Sequence, residues 1–431
     1  MESPITHIVL PNGLMVQLKE IHTAPLISHW VWYRVGSRNE MTGRTGISHW
    51  VEHMLFKGTQ KFPAGVLDKA ISRDGGMWNA FTYLDWTAFF ETLPADKIDL
   101  GLELEADRMV NSLFDPEEVE SERTVIISER EGSENEPLFR LDEAVQHAAF
   151  QNHPYRVEVI GEKEDLLVIT RDDLYNHYRT HYHPANAVLT IAGDFNTAEM
   201  LEKVQQTYGR LGSSPAPAHN IQPEGAIPAE QRIEISGPGE TTFLRVVYRA
   251  PAARERDFFI FTVLDSLLSG PSSLNMFGGG GISNKTSRLY RALVEKELGV
   301  SVSGGLNATI DPYMYGIHVT VHPRQTYAAP LAALDQEIQR LQEHLIPQEE
   351  ILRAVKQARA MFAYGSENIT NQAFWLGYSE MFANYDWFTN YVQQLETVTP
   401  QEIQRVAQTY LNPAHRIIGA YLPDSTSGDM A

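Results

Sequence analysis

The chain has no cysteine in its 431 residues, which excludes disulfides and thiolate metal sites and leaves histidine and carboxylate as the only strong metal ligands. Positive charge is scarce. Lys and Arg number 35 against 55 Asp and Glu, giving a net charge of −20, so a partner made of phosphates would be repelled and basic peptides attracted. No uninterrupted apolar run is long enough to span a bilayer, and Met1–His7 has neither the positive nor the apolar segment of a secretion signal. The expectation is a soluble cytoplasmic protein with no membrane span and no nucleic-acid partner. Hydrophobic residues at 43% and charged residues at 21% describe a globular chain, and its length exceeds what one core usually serves.

Against these absences stands His49-Trp50-Val51-Glu52-His53. On a helix, residues four apart lie one turn apart on one face, so His49 and His53 can present ring nitrogens to a single ion. Glu52 shares that face and is placed to touch water at the ion rather than the ion itself. The order His-x-x-Glu-His is that of the inverted zinc peptidase motif. A catalytic zinc takes three protein ligands and leaves a fourth position open, so a third ligand must lie elsewhere.

Asp115 as N-cap and Pro116 at the first helical position predict a helix over Pro116–Arg130. Glu122, Val125, Ile126 and Glu129 form one stripe on it, expected to face inward, where carboxylates need partners. The two glutamates are separated by about 10 Å along the axis, so one is a ligand and the other supports it from outside.

The run Gly46–Thr59, with Gly75–Thr82 and Asp85-Trp86-Thr87, resembles the insulinase/pitrilysin-type zinc peptidases (inverzincins), a family that includes the mitochondrial processing peptidase; His153-Pro154-Tyr155 is a weaker match. In that family the third ligand lies roughly 75 residues beyond the second histidine. The resemblance therefore selects Glu129, 76 residues after His53, as ligand and Glu122 as the supporting carboxylate. It implies one Zn2+ per chain, peptide-bond hydrolysis with zinc-bound water activated by Glu52 as general base, and an extended substrate held along Asn79, Ala80 and Phe81. Met77–Phe81 independently reads as an exposed sheet edge suited to strand addition. A non-catalytic scaffold or assembly subunit related to the same peptidases is the competing reading.

The chain also repeats itself. Thr170, Leu174, Thr180, Pro184 and Ala185 recur as Thr399, Ile403, Thr409, Pro413 and Ala414, and Tyr33-Arg34 recurs as Tyr248-Arg249. A Pro-, Ala-, Gly- and Ser-rich stretch separates the copies, giving an N-terminal catalytic domain 1–212, a linker 213–229 and a homologous domain 230–431 without a metal site. Ile8–Leu18 and Ile27–Val35 are predicted as strands and Ala95–Ser112 as a helix. The class is α+β: two duplicated domains, each a mostly antiparallel sheet with helices packed on it. The family adds that the two face one another around a cavity.

The predicted helix Thr286–Leu298 is taken as the counterpart of the histidine helix. The family carries there a substrate-contacting arginine and, seven residues later, a tyrosine. This sequence has Val294 and Ser301 instead, with Arg288, Tyr290 and Arg291 nearby. The expected partner is a paralogous subunit supplying the missing pair, in a heterodimer. The glycine run Gly278–Gly281 is expected to be a flexible loop near the substrate rather than a nucleotide site, because Asn284 stands where a phosphate loop needs glycine.

Overall fold

The computed structural model describes residues 5–73, 75–212, 214–218, 220–271, 274 and 283–424, so the Gly278–Gly281 segment lies outside the described residues. Two compact units are formed, each from separate stretches of chain. The first takes Met1–Arg130, Val157–Ile221 and Ser366–Tyr385; the second takes Glu131–Arg156, Gln222–Gly365 and Asp386–Ala431. The expected boundary at 213–229 brackets the passage between Ile221 and Gln222, while 131–156 and 366–385 each belong to the unit opposite to their position in the chain.

The first unit holds a six-stranded sheet of β1 (Ile5–Val9), β2 (Met15–Glu20), β3 (Leu26–Tyr33), β4 (Met77–Thr82), β5 (Thr87–Pro94) and β6 (Ala187–Gly193), ordered β1-β2-β6-β3-β5-β4. Only β2 and β6 pair in parallel. The single strand expected over Ile8–Leu18 is instead a hairpin, turned at Pro11-Asn12-Gly13 with Gly13 at φ 88°. A side chain there would strike Ala185 Cβ at 2.8 Å, so both the conformation and the space require glycine.

The second unit repeats the plan with β7 (Gln231–Gly237), β8 (Phe243–Arg249), β9 (Gly299–Leu306), β10 (Met314–Val321) and β11 (Arg416–Pro423), ordered β7-β11-β8-β10-β9. Again one pair, β11 with β7, is parallel. The repeated residues fall on equivalent elements. Thr170 and Thr399 each close a capping box at the start of a helix, Arg171–His181 and Pro400–Tyr410, and each helix leads through a short 3-10 turn into a central strand. Fold class α+β with duplicated units is therefore observed directly.

Equivalence by element order corrects one assignment. The helix that follows β8, as the histidine helix follows β3, is Arg256–Leu268 and not Thr286–Leu298. The latter region is helical over residues 288–294, with Tyr290–Val294 wound as π-helix, and is shorter than the helix expected there. Arg256–Leu268 also lacks histidine, so among the described residues the second unit has no counterpart of the metal motif.

Each sheet is covered by one helix from the other half of the chain. Pro137–Ala149 packs on β11, β7 and β8, and Ile369–Phe382 packs on β3, β6 and β2. The second helix is apolar around most of its circumference, as a buried helix must be. It brings Phe374 against Trp30 and Trp32, whose rings stack with centroids 5.1 Å apart, and this aromatic layer fixes the sheet that carries β4.

Candidate metal centre

The histidine helix, Ile47–Met54, begins at Gly46, whose φ of 84° reverses the chain and which has no side chain to cap the helix. Glu40 does this instead, its two carboxyl oxygens accepting from the Gly46 and Ser48 backbone N–H groups at 2.8 and 2.9 Å. Burial pushes the Glu40 carboxyl up to about 8, against those two hydrogen bonds. A second helix, Pro116–Glu134, runs beside the first. Arg123 lays its guanidinium 4.7 Å over the buried Trp50 ring and donates to the Ile169 carbonyl at 2.9 Å, while Arg130 donates to the Gly161 carbonyl at 2.8 Å. These contacts set the helix register and with it the positions of Glu122 and Glu129.

His49 Nε2 and His53 Nε2 face each other at 3.2 Å, and Glu129 Oε2 lies 3.8 Å from His53 Nε2. Ligand atoms of His49, His53 and Glu129 all fall within 4.8 Å of one another, the one such group of three among the described residues. Two nitrogens bound tetrahedrally to zinc at ordinary bond lengths would be roughly 3.3 Å apart, so the pair is already spaced for the ion. The donor set of two imidazoles and a carboxylate matches zinc chemically as well.

Glu122 does not reach this group. Its Oε1 accepts from His53 Nδ1 at 2.8 Å, which leaves the Nε2 lone pair facing His49 and Glu129. Its Oε2 forms an ion pair with Lys57. Burial pushes the Glu122 carboxyl up, but hydrogen bonds from Lys57 and His53 outweigh it and hold the group below the usual range. The inward stripe expected on this helix needs correction: Glu122 and Ile126 are buried, whereas Val125 is 47% exposed and Glu129 lies at the solvent edge.

Glu52 lies on the other side, buried and accepting from Thr82 Oγ1 at 2.6 Å. Burial raises its pKa, with the Thr82 hydrogen bond opposing. Burial, with His53 second, depresses His49 to about 3.

Asn79, Ala80 and Phe81 lie on β4, the edge strand of the sheet. Side chains alternate along it. Trp78 stacks near Phe56 and Thr82 meets Glu52 on the helix side, while Phe81 turns to the opposite face against Phe90. Ala80 shares the helix-side face with Trp78 and Thr82, Asn79 and Phe81 point the other way, and the Ala80 N–H is held by Asn79 Oδ1 at 2.8 Å. Val294 closes the Tyr290–Val294 turn, and Ser301 sits on β9 with its hydroxyl on Thr320 at 2.9 Å. Nearby Arg288 is committed to Glu350 at 2.8 Å.

Three residues of the site were not singled out from sequence: Glu40, Lys57 and Thr82. The last two lie within the quoted runs Gly46–Thr59 and Gly75–Thr82 and could have been weighed there; Glu40 carries no local signal.

A duplicated α+β fold with a helical His-x-x-Glu-His motif and a distant glutamate beside it defines the inverted zinc peptidase class. Residues 15–163 match the family described as insulinase (peptidase family M16), and residues 169–358 match its peptidase M16 inactive domain. The chain belongs to the insulinase family. An uncharacterized zinc protease of Streptomyces coelicolor is 27% identical over 95% of this chain and 88% of its own length. A protein of Arabidopsis thaliana named as a probable mitochondrial-processing peptidase subunit beta is 26% identical over 74% of this chain and 60% of that protein. The crystal structure of a protease from Helicobacter pylori superposes with a TM-score of 0.89 at 24% identity, covering 98% of this chain and all of that one, 100%.

Proposed function

We propose that the chain is a zinc-dependent endopeptidase that hydrolyses peptides or unfolded segments, with His49, His53 and Glu129 holding the ion and Glu52 as general base. The observation that carries this reading is the convergence of three ligand atoms within 4.8 Å, with the buried Glu52 carboxylate next to His53 in the chain and held by Thr82. Zinc bound there supplies a Lewis acid that polarises the scissile carbonyl and acidifies water.

The remaining work belongs to the protein's own groups. Glu52, raised by burial, takes the proton from the attacking water and returns it to the leaving amine. Thr82 aims one carboxyl oxygen and leaves the other for that exchange. Glu122 fixes the His53 tautomer so that Nε2 keeps its lone pair. An extended peptide added to β4 would be held through its backbone with little sequence demand, close to Glu52 because Thr82 is on the same strand. The net charge of −20 favours basic segments.

The absence of the family's arginine and tyrosine at Val294 and Ser301, with Arg288 tied to Glu350, supports a heterodimer in which a paralogous chain supplies them. The test is cleavage of a quenched basic peptide by the purified chain, alone and with a candidate sister chain. Cleavage only in the mixture is expected. Full activity of the isolated chain would sink the heterodimer, and silence in both with zinc bound would favour a scaffold.

A further inference from the structure

Lys57 lies four residues beyond His53, in the turn that follows the histidine helix, where its backbone N–H donates to the Met54 carbonyl at 3.0 Å. Glu122 reaches across from the neighbouring helix and bridges the two: Oε1 is 2.8 Å from His53 Nδ1 and Oε2 is paired with the Lys57 ammonium. The Glu122 side chain is 7% exposed and that of Lys57 27% exposed, so the carboxylate is shielded from water while the lysine is half-buried. A second, looser contact runs from Lys57 to Glu118 at 3.5 Å, where the carboxylate is 47% exposed.

We propose that Lys57 is a positioning residue for the metal ligand His53, acting through Glu122. The inference rests on the metal-site reading above. A carboxylate with two equivalent oxygens can rotate about its final bond. Lys57 occupies one oxygen, which leaves the other aimed at His53 Nδ1 and fixes both tautomer and ring angle. Without the ammonium, Glu122 is a buried anion with a single partner, and it gains by turning an oxygen toward water. His53 then loses its orienting acceptor for part of the time. The ammonium makes no contact with the ligand atoms, so its effect reaches zinc only through Glu122. An ordinary structural salt bridge would not have that dependence.

The experiment measures zinc dissociation constants of the full-length chain by competition with a chromogenic chelator, a readout independent of peptidase activity. Lys57→Met is expected to weaken zinc about 10-fold, the lower end of the range for groups that support a ligand. Lys57→Arg should recover most of this, and Lys57→Gln replaces the Met variant should that one not fold. Glu118→Gln is expected to bind like wild type. Because both residues act on the same hydrogen bond, Lys57→Met combined with Glu122→Gln should bind no more weakly than Glu122→Gln alone. An unchanged dissociation constant in the Met and Gln variants, or full additivity with Glu122→Gln, overturns the role of Lys57 while leaving the zinc site in place. If the wild-type chain takes up no zinc, or His49→Ala binds it as well as wild type, the metal-site reading itself falls.

Discussion

Thr82 Oγ1 donates to Glu52 Oε2 at 2.6 Å, which joins the edge strand β4 to the carboxylate assigned as the base. Burial raises the Glu52 pKa and this hydrogen bond opposes the rise. Thr82→Val keeps the shape of the side chain and removes the donor. The Glu52 carboxyl should then rise further, moving the acidic limb of the kcat/KM profile to higher pH. Loss of about 1.4 kcal/mol for one hydrogen bond to a charged group corresponds to a shift of about one pH unit, so turnover on the acidic limb should fall by up to about tenfold. A pH–rate profile for the variant checks this, and an unmoved acidic limb would disconnect Thr82 from the base.

Substitution separates the base from the ligands. Glu52→Gln leaves His49, His53 and Glu129 untouched, so zinc content by elemental analysis should match wild type while turnover falls by roughly 10²–10⁴, the usual contribution of general base catalysis. His53→Ala should lose both zinc and turnover. Near-normal hydrolysis by Glu52→Gln would show that another group takes the proton.

How far this site could be read from sequence depends on how local each relation is. His49, Glu52 and His53 are fixed by one helical turn, so their spacing alone announces them. Glu129 is separated from His53 by 76 positions, and only the family resemblance selected it over Glu122. The stripe on Pro116–Glu134 misled at Val125, because an apolar position at the margin of a helix face looks the same in sequence whether a core or an open groove lies over it. The first two strands merged into one although the turn between them was legible, since Asn12-Gly13 is a strong hairpin signal that the apolar residues on either side obscured. The histidine-helix counterpart was misplaced because Arg256–Leu268 is buried on all sides from Phe258 onward and shows little helical period, whereas Thr286–Leu298 alternates polar and apolar residues. The recurrence of Thr170 as Thr399 was legible as a repeat, whereas the capping box that each closes comes from the structure. Nothing in the apolar run Ile369–Phe382 told which sheet it covers.

The depressed His49 gives the metal-free chain a distinctive acid sensitivity. Unfolded, this imidazole takes a proton near 6.5; folded, burial and then His53 hold it neutral down to about 3. The unfolded state therefore binds more protons in that window. The stability associated with neutral His49 is complete above pH 6.5 and is lost progressively as pH falls toward 3. Glu52, raised in the folded state, works in the opposite sense, since its protonation favours the fold below its folded pKa. Thermal midpoints of the chelator-treated chain from pH 7 to pH 4 should fall, and His49→Gln should flatten part of that fall. Equal pH slopes for the two proteins would show that His49 titrates normally in the fold.

The last prediction concerns the helix that crosses to the first unit. Gly377 sits on Ile369–Phe382 where that helix meets β3, and a Cβ there would stand 2.1 Å from Trp32 Nε1 and 2.3 Å from Trp32 Cδ1. Trp32 is fully buried, stacked on Trp30 and edge-on to Trp86 and Phe374, so it has no free space to move into. Gly377→Ala must therefore lift the helix or displace the indole, with a cost of about 1–3 kcal/mol for an overpacked core, outweighing the gain in helix propensity. Gly305→Ala is the control, because its Cβ would meet nothing within 4 Å. Urea unfolding followed by tryptophan fluorescence should show a lower midpoint for the Gly377 variant and little change for the Gly305 variant. Equal midpoints would mean that the helix does not press on β3 in solution, and that a segment distant in sequence is not what holds the sheet bearing β4 in place.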